Sequence, residues 1–175
     1  MKCSQLIYDD IAARGGKPLM WKTGHSLIKA KMKETHAELA GEMSGHMFFK
    51  DRWFGFDDAI YAACRMLEIV DQDPRPLSQH LADLPETVST PEIRVDCPDK
   101  TKFKIVEKAV TEFKKKYSVS TIDGARMQFD GGWGLVRASN TQPVLVMRFE
   151  ATSEKKLAEF RKIVEDTIKN LSRGS

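Results

Sequence analysis

The sequence predicts two domains of different class, an α/β half followed by a small α+β half. Three observations predict it. Before residue 71, short apolar segments alternate with amphipathic helical stretches, the rhythm of a layered α/β domain. After residue 91 the order is strand, helix, three strands, helix, with turn residues between the strands. Between the halves, Pro74, Pro76, Pro85 and Pro91 punctuate a polar stretch, which is the composition of a linker. The boundary is expected near Pro85–Thr90, giving domains 1–84 and 85–175.

In the first half, Leu6, Ile7 and Ile11 form a helical stripe that stops at Gly15-Gly16. Pro18 to Trp21 reads as a short strand that opens into Lys22-Thr23-Gly24-His25-Ser26. A helix is expected from about Leu27 to Leu39, with Leu27, Ile28 and Met32 inward. A strand, a glycine loop and a helix together make a common setting for an anion, because the helix N-terminus offers free amides. Ser26 and His25 serve equally as helix caps. Asp57 is the expected cap of the next helix, which runs to about Val70. Its Ile60, Ala63, Cys64 and Leu67 predict one buried face, with Cys64 a core residue. The alternation argues for parallel strands. A small helical piece, Leu77 to Leu84, lies within the linker.

In the second half, Glu92 to Cys97 alternates as a half-buried strand. Asp99 can cap a helix carrying Phe103, Val106, Val110 and Phe113. Lys114-Lys115-Lys116 ends that helix and suits its dipole; as a nucleic-acid patch the run stands alone. Ser120–Phe129 with a turn at Asp123-Gly124, then Trp133–Ala138 and Val144–Ala151, read as antiparallel strands. Leu157, Phe160, Val164, Ile168 and Leu171 mark the last helix, and both helices are expected on one face of the sheet.

The 175 residues carry a net charge of +3, with 41% apolar and 30% charged residues, ordinary for a globular protein. No apolar run is long enough to span a membrane, and the N-terminus lacks the apolar core of a signal peptide. Cys3, Cys64 and Cys97 are odd in number and far apart, which reads as reduced thiols in a cytoplasmic setting. The histidines His25, His36, His46 and His80 lack metal-ligand spacing, so no metal site is assigned. Neither a nucleic-acid nor a membrane partner is expected.

Two stretches carry chemistry. Gly41-Glu42-Met43-Ser44-Gly45-His46 alternates an acid, a hydroxyl and an imidazole between apolar flanks. In a strand, Glu42, Ser44 and His46 share one face, a row of groups suited to sugar hydroxyls. The same pattern serves a strand with a polar solvent face. Arg137-Ala138-Ser139-Asn140-Thr141 joins two predicted strands. Arginine offers phosphate a planar, always charged fork, and the neighbouring hydroxyls, amide and backbone add donors. The composition also suits a polar turn with a surface arginine.

Gly41–His46 followed by Met47-Phe48-Phe49-Lys50 resembles the sugar-binding loop of the α-D-phosphohexomutases, which include the phosphomannomutase/phosphoglucomutase enzymes. Arg137–Pro143 is similar to the phosphate-binding loop of that family's last domain. The resemblance covers essentially the whole chain, as less than half of such an enzyme. It implies most of a three-layer α/β third domain, incomplete at its start, and then a fourth domain of TATA-box-binding-protein-like α+β fold. It implies interconversion of mannose or glucose 1-phosphate and 6-phosphate through a phosphoserine and a hexose 1,6-bisphosphate, with Mg2+. The family's phosphoserine loop and its aspartate-rich magnesium loop are not in the sequence. The chain alone is therefore expected to be inactive and to hold no cofactor, its partners being the phosphosugars and the missing first and second domains. A Met directly before Lys2 fits an engineered start or a natural truncated gene. By the resemblance, Glu42 and Ser44 bind two adjacent hydroxyls with His46 beside them. Arg137, Ser139, Asn140 and Thr141 hold the phosphate not being transferred. Lys2 and His25 match basic residues near the reacting oxygen. A phosphoglucosamine mutase is the alternative within the family, though Met43 and the Arg-Ala-Ser-Asn-Thr loop fit the mannose/glucose branch better. A non-catalytic sugar-phosphate-binding module is the alternative outside it.

Overall fold

The computed structural model describes residues 1–173, so the last two positions of the expected second domain lie outside it. The chain divides into two compact units. One comprises Met1, Cys3–Gln5 and everything from Glu86 onward; the other comprises Lys2 and Leu6–Pro85.

The N-terminal unit contains α1 (Gln5–Ala13), α2 (His25–Thr35), β1 (Leu39–Gly41), β2 (Met47–Phe49) and α3 (Ala59–Gln72). The α2 helix ends earlier than its pattern predicts. His36 takes a left-handed conformation and its amide bonds back to the Met32 carbonyl, which frees Leu39 for the following strand. The expected strand at Pro18–Trp21 carries no ladder. The only strands of this unit among the described residues, β1 and β2, pair antiparallel, with Ala40 opposite Phe48. The parallel arrangement expected from the alternation is thus corrected. The loop between β1 and β2 is far too short for a parallel crossover, which needs a dozen or more residues. Residues 77–84 form one 3-10 turn at Leu77–Gln79 and looser turns, not a helix.

Two further expectations shift at α3. Its cap is Asp58, whose side chain accepts from the Tyr61 amide at 2.9 Å, so Asp57 is released for another role. The Ile60–Leu67 stripe is not buried: Ile60 is 80% and Leu67 67% exposed, and Cys64 is exposed too. The helix seats instead through Tyr61, which stacks on Trp53, and Arg65, whose guanidinium lies 4.9 Å over the Phe49 ring. The packed core of this unit is small, formed by Ile28, Met32 and Phe48 with Ala37 and Ala40 against it.

The C-terminal unit follows the predicted order closely. It adds β3 (Val88–Ser89) to β4 (Ile93–Asp96), α4 (Asp99–Lys114), β5 (Ser118–Ser120), β6 (Ala125–Phe129), β7 (Gly132–Ala138), β8 (Val144–Ala151) and α5 (Glu154–Arg173). The sheet runs β3-β8-β7-β6-β5, and β4 also pairs with β8; every pairing is antiparallel. Alternate residues Met127, Phe129, Val136, Met147 and Phe149 face Ile105, Ala109, Phe113, Phe160, Val164 and Ile168 of α4 and α5, so both helices cover one sheet face. Phe103 is exposed, against expectation, because Ile105 and Ala109 take the inner stripe with Val106 and Phe113. Asp99 does not cap α4 but is its first residue and bonds Lys102.

The other face of the sheet is polar and still closed. Glu150 is 5% exposed and accepts from Trp133 Nε1 at 3.0 Å, Ser4 Oγ at 2.8 Å and the Gln5 amide at 3.3 Å. Arg126 lies over the Trp133 ring and donates to the Gln5 side chain at 2.9 Å. This is why Cys3–Gln5 belong with the C-terminal unit.

Candidate functional site

The candidate residues fall on both units. In the N-terminal unit the 41–46 stretch is not a strand. Glu42–His46 is the hairpin loop between β1 and β2, closed by the Glu42 amide on the His46 carbonyl and by the Gly45 amide on the Glu42 carbonyl. The alternation of acid, hydroxyl and imidazole therefore does not place them by strand period. Side-chain bonds place them instead. Glu42 Oε1 accepts from the Gly24 amide at 3.1 Å, and Ser44 Oγ lies 3.5 Å from Glu42 Oε2. His46 Nδ1 sits 2.7 Å from Asp57 Oδ2. With Nδ1 engaged by the carboxylate, Nε2 is the nitrogen left for a ligand.

The Gly24 bond joins two loops that are far apart in sequence. Gly24 caps α2 at φ 131°, a conformation that side-chain-bearing residues avoid, and its amide turns onto Glu42. His25 is the first residue of α2 and is exposed, with Ser26 Oγ 3.4 Å from its Nδ1; neither side chain caps the helix. Glu42, Ser44 and the Gly24-His25 turn thus form one cluster, with His46 across the loop from Glu42 and held by Asp57. Lys2 is half-buried in the same unit.

Other charges near the hairpin are already matched. Arg52 clamps Glu68 with bonds of 2.9 and 2.8 Å, holding that carboxyl below its usual range. Arg65 pairs with Asp51 and Glu68. Among the described residues no three His, Cys, Asp or Glu side chains converge as a metal group would require. The acids nearest the two loops are engaged by His46, Arg137 and the Gly24 amide. The described residues do not fit a magnesium site.

In the C-terminal unit, Arg137 is the next-to-last residue of β7 and is buried. Its Nε donates to Asp123 at 3.0 Å, and its two terminal nitrogens have no partner among the described residues. Asp123 and Gly124, legible in the sequence only as a turn, prove to be the support of this arginine. Gly124 has φ +86°, and a Cβ there would meet the Val136 carbonyl at 2.4 Å and Arg137 Cβ at 2.6 Å. Glycine lets the turn lie flat on Arg137. Ser139 turns inward: its Oγ accepts from the Thr141 amide at 3.3 Å and the Gln142 amide at 3.2 Å, shaping the loop. Asn140 and Thr141 are exposed at the loop tip. Gln142 is held by Arg94, whose Nη1 donates to its side chain at 2.7 Å, and by Lys102, which reaches its carbonyl. Neither Arg94 nor Lys102 stands out in sequence, since each reads as an outward residue of a strand or helix.

Comparison with known proteins places the chain in a family. Residues 1–88 match the family model described as phosphoglucomutase/phosphomannomutase, alpha/beta/alpha domain III, and residues 92–167 match that of the C-terminal domain. A phosphomannomutase/phosphoglucomutase of Pseudomonas aeruginosa is 50% identical over 97% of this chain and 37% of its own length. A probable phosphoglucosamine mutase of Methanopyrus kandleri is 31% identical over 95% of the chain and 36% of its own length. The crystal structure of a phosphoglucomutase/phosphomannomutase family protein from Burkholderia thailandensis superposes with a TM-score of 0.86 at 44% identity, covering 99% of this chain and 37% of that one. The chain thus spans a little over a third of the length of the relatives it matches.

Proposed function

The chain belongs to the phosphoglucomutase/phosphomannomutase family, and we propose that it supplies the sugar-recognising and phosphate-recognising loops of a mutase. That enzyme interconverts hexose 1-phosphate and hexose 6-phosphate of glucose and mannose. The observation that carries this reading is the Arg137 fork: buried, steadied at Nε by Asp123, and with both terminal nitrogens unpartnered beside a loop of exposed donors. Two N–H groups in one plane match two oxygens of a phosphate. Asn140 and Thr141 add neutral donors, while Ser139 sets the loop that presents them.

The Glu42 carboxylate accepts hydrogen bonds from sugar hydroxyls. Its bond to the Gly24 amide fixes the carboxylate plane in advance, so little freedom is lost when a sugar binds. Ser44 and His46 Nε2 extend the row. A loop that reads hydroxyls away from C2 accepts glucose and mannose alike. Lys2 and His25 are assigned proton transfer or charge stabilisation at the reacting oxygen. In the parent enzyme a phosphoserine, a hexose 1,6-bisphosphate and Mg2+, contributed from outside these residues, supply the phosphoryl chemistry in the cytoplasm.

The test is a coupled mutase assay of the parent enzyme on glucose 1-phosphate, mannose 1-phosphate and glucosamine 1-phosphate. Turnover of the first two is expected. Turnover of the third alone moves the reading to a phosphoglucosamine mutase, which the lower identity to that relative disfavours. The 175-residue chain alone is expected to show no turnover above a blank preparation, since no Ser-His-Asn-Pro loop or Asp-x-Asp-Gly-Asp run is present in it.

A further inference from the structure

Lys102 is a buried cation that the assignments above leave unused. It is 3% exposed, yet it belongs to the first turns of α4, where lysines ordinarily point to water. Its ammonium donates to Asp99 Oδ1 at 2.5 Å and to the Gln142 carbonyl at 2.9 Å, forty residues away. The Asp99 side chain is 70% exposed, so this is not a closed ion pair hidden in the core. Burying an ammonium is costly unless its hydrogen bonds are met, and here one of them ends on the loop beside Arg137.

That loop is closed by the Ser139 amide on the Val144 carbonyl at 3.0 Å and by the Val144 amide on the Gln142 carbonyl at 2.8 Å, and its Gln142-Pro143 end is clamped further. The Gln142 side chain takes the Arg94 bond, the Pro143 carbonyl accepts from the Cys97 amide at 2.8 Å, and the Gln142 carbonyl accepts from Lys102. From this fixed base the Thr141 and Gln142 amides turn onto Ser139 Oγ. We propose that Lys102 is a positioning residue for the phosphate loop. Through the Gln142 carbonyl it holds the amides of Thr141 and Gln142 in their turn around Ser139, and it brings a positive charge to the base of that loop. The inference rests on the phosphate reading of Arg137–Thr141.

Asp99 provides an electrostatic readout that a purely structural role does not move. Removing its charge as Asp99→Asn leaves the ammonium bonded to Gln142 and takes away a neighbouring anion.

The test uses the 175-residue chain with inorganic phosphate as probe, followed by titration and by amide hydrogen exchange. Lys102→Met keeps the length and removes the donor. It is expected to speed exchange at Thr141 and Gln142 in the absence of phosphate and to weaken phosphate binding about tenfold. Lys102→Arg, which keeps charge and donors, is expected to restore most of both. Asp99→Asn is expected to tighten phosphate about twofold at low salt, with the gain lost at high salt. If Lys102→Met leaves exchange at Thr141 and Gln142 unchanged, the positioning role is wrong, whatever happens to phosphate. If Lys102→Met does not fold, unchanged exchange in the folded Lys102→Gln variant overturns the role equally. Wild-type chain that does not bind phosphate, or Arg137→Lys that binds it as well as wild type, overturns the phosphate reading. It overturns the proposal with it, and the exchange data tell the two failures apart.

Discussion

The two units of this chain solve the same packing problem to different degrees. In the C-terminal unit, an antiparallel sheet has two helices on one face and a polar cap on the other. Trp133, Phe149, Met127 and Leu135 are fully buried there. The N-terminal unit has three helices but only a two-stranded hairpin, and its buried core comes down to Ile28, Met32, Phe48 and Phe49. Ile60, Leu67, Leu19 and Phe54 remain exposed in it. A helix stripe becomes a core only when a second layer meets it. The consequence reaches the loops. Arg137 stands on a finished scaffold, whereas Glu42 is placed by a handful of local hydrogen bonds.

The largest effect follows from that contrast. Phe149→Ala empties a fully buried site on β8 and is expected to cost about 3–5 kcal/mol. Thermal melting should show the C-terminal unit losing its transition. Phe48→Ala should instead abolish slow amide exchange in α2 and the hairpin while β7 and β8 stay protected. Slower exchange in the N-terminal unit than in the C-terminal sheet of the wild-type chain would break the comparison.

Gly124→Ala is expected to cost less, about 1–3 kcal/mol, through a positive φ and contact with the β7 backbone. Its signature is local: it should push Arg137 off Asp123 and weaken phosphate binding more than its stability loss explains. Titration of a still-folded Gly124→Ala chain with inorganic phosphate checks this, and undiminished affinity would show that the turn does not support the arginine.

How much of this was legible in the sequence differs between the units for the same reason. The C-terminal strands and helices could be read from periodicity because, apart from Val95 and Phe103, they bury the faces their patterns present. The N-terminal pattern misled more often, and three of the misses bear on the site and the helix beside it. Ile60, Ala63, Cys64 and Leu67 have helical spacing, but Tyr61 and Arg65 on another face make the contacts. Asp57 and Asp58 are adjacent possible caps, and only the structure shows that Asp58 takes the helix and Asp57 takes His46. Glu42, Ser44 and His46 alternate as strand residues do, yet two backbone bonds make them a turn. The site residues themselves came from motif resemblance. The residues that touch them, Gly24 on Glu42 and Asp123 and Gly124 on Arg137, do so across sequence separations that no local pattern encodes.

The smallest expected effect sharpens the corrected reading of α3. Leu67→Glu places a charge on a stripe that is exposed in this chain and should change stability by no more than about 0.5 kcal/mol. A loss of several kcal/mol by chemical denaturation would mean that the stripe is covered in solution.

The central claim is that the two loops divide recognition, phosphate to Arg137 and sugar hydroxyls to Glu42. The most direct measurement is calorimetric titration of two variants, Arg137→Lys and Glu42→Gln, with a hexose 6-phosphate and with a phosphate ester that has no sugar ring. Arg137→Lys keeps the charge but loses the planar fork, and should weaken both ligands alike. Glu42→Gln removes a charged acceptor worth about 1.5–3 kcal/mol. It should weaken the hexose phosphate roughly ten- to a hundredfold, by the same hydrogen-bond magnitude, and leave the ring-free ester unchanged. Equal weakening of both ligands by Glu42→Gln, or no weakening of either by Arg137→Lys, would contradict the division.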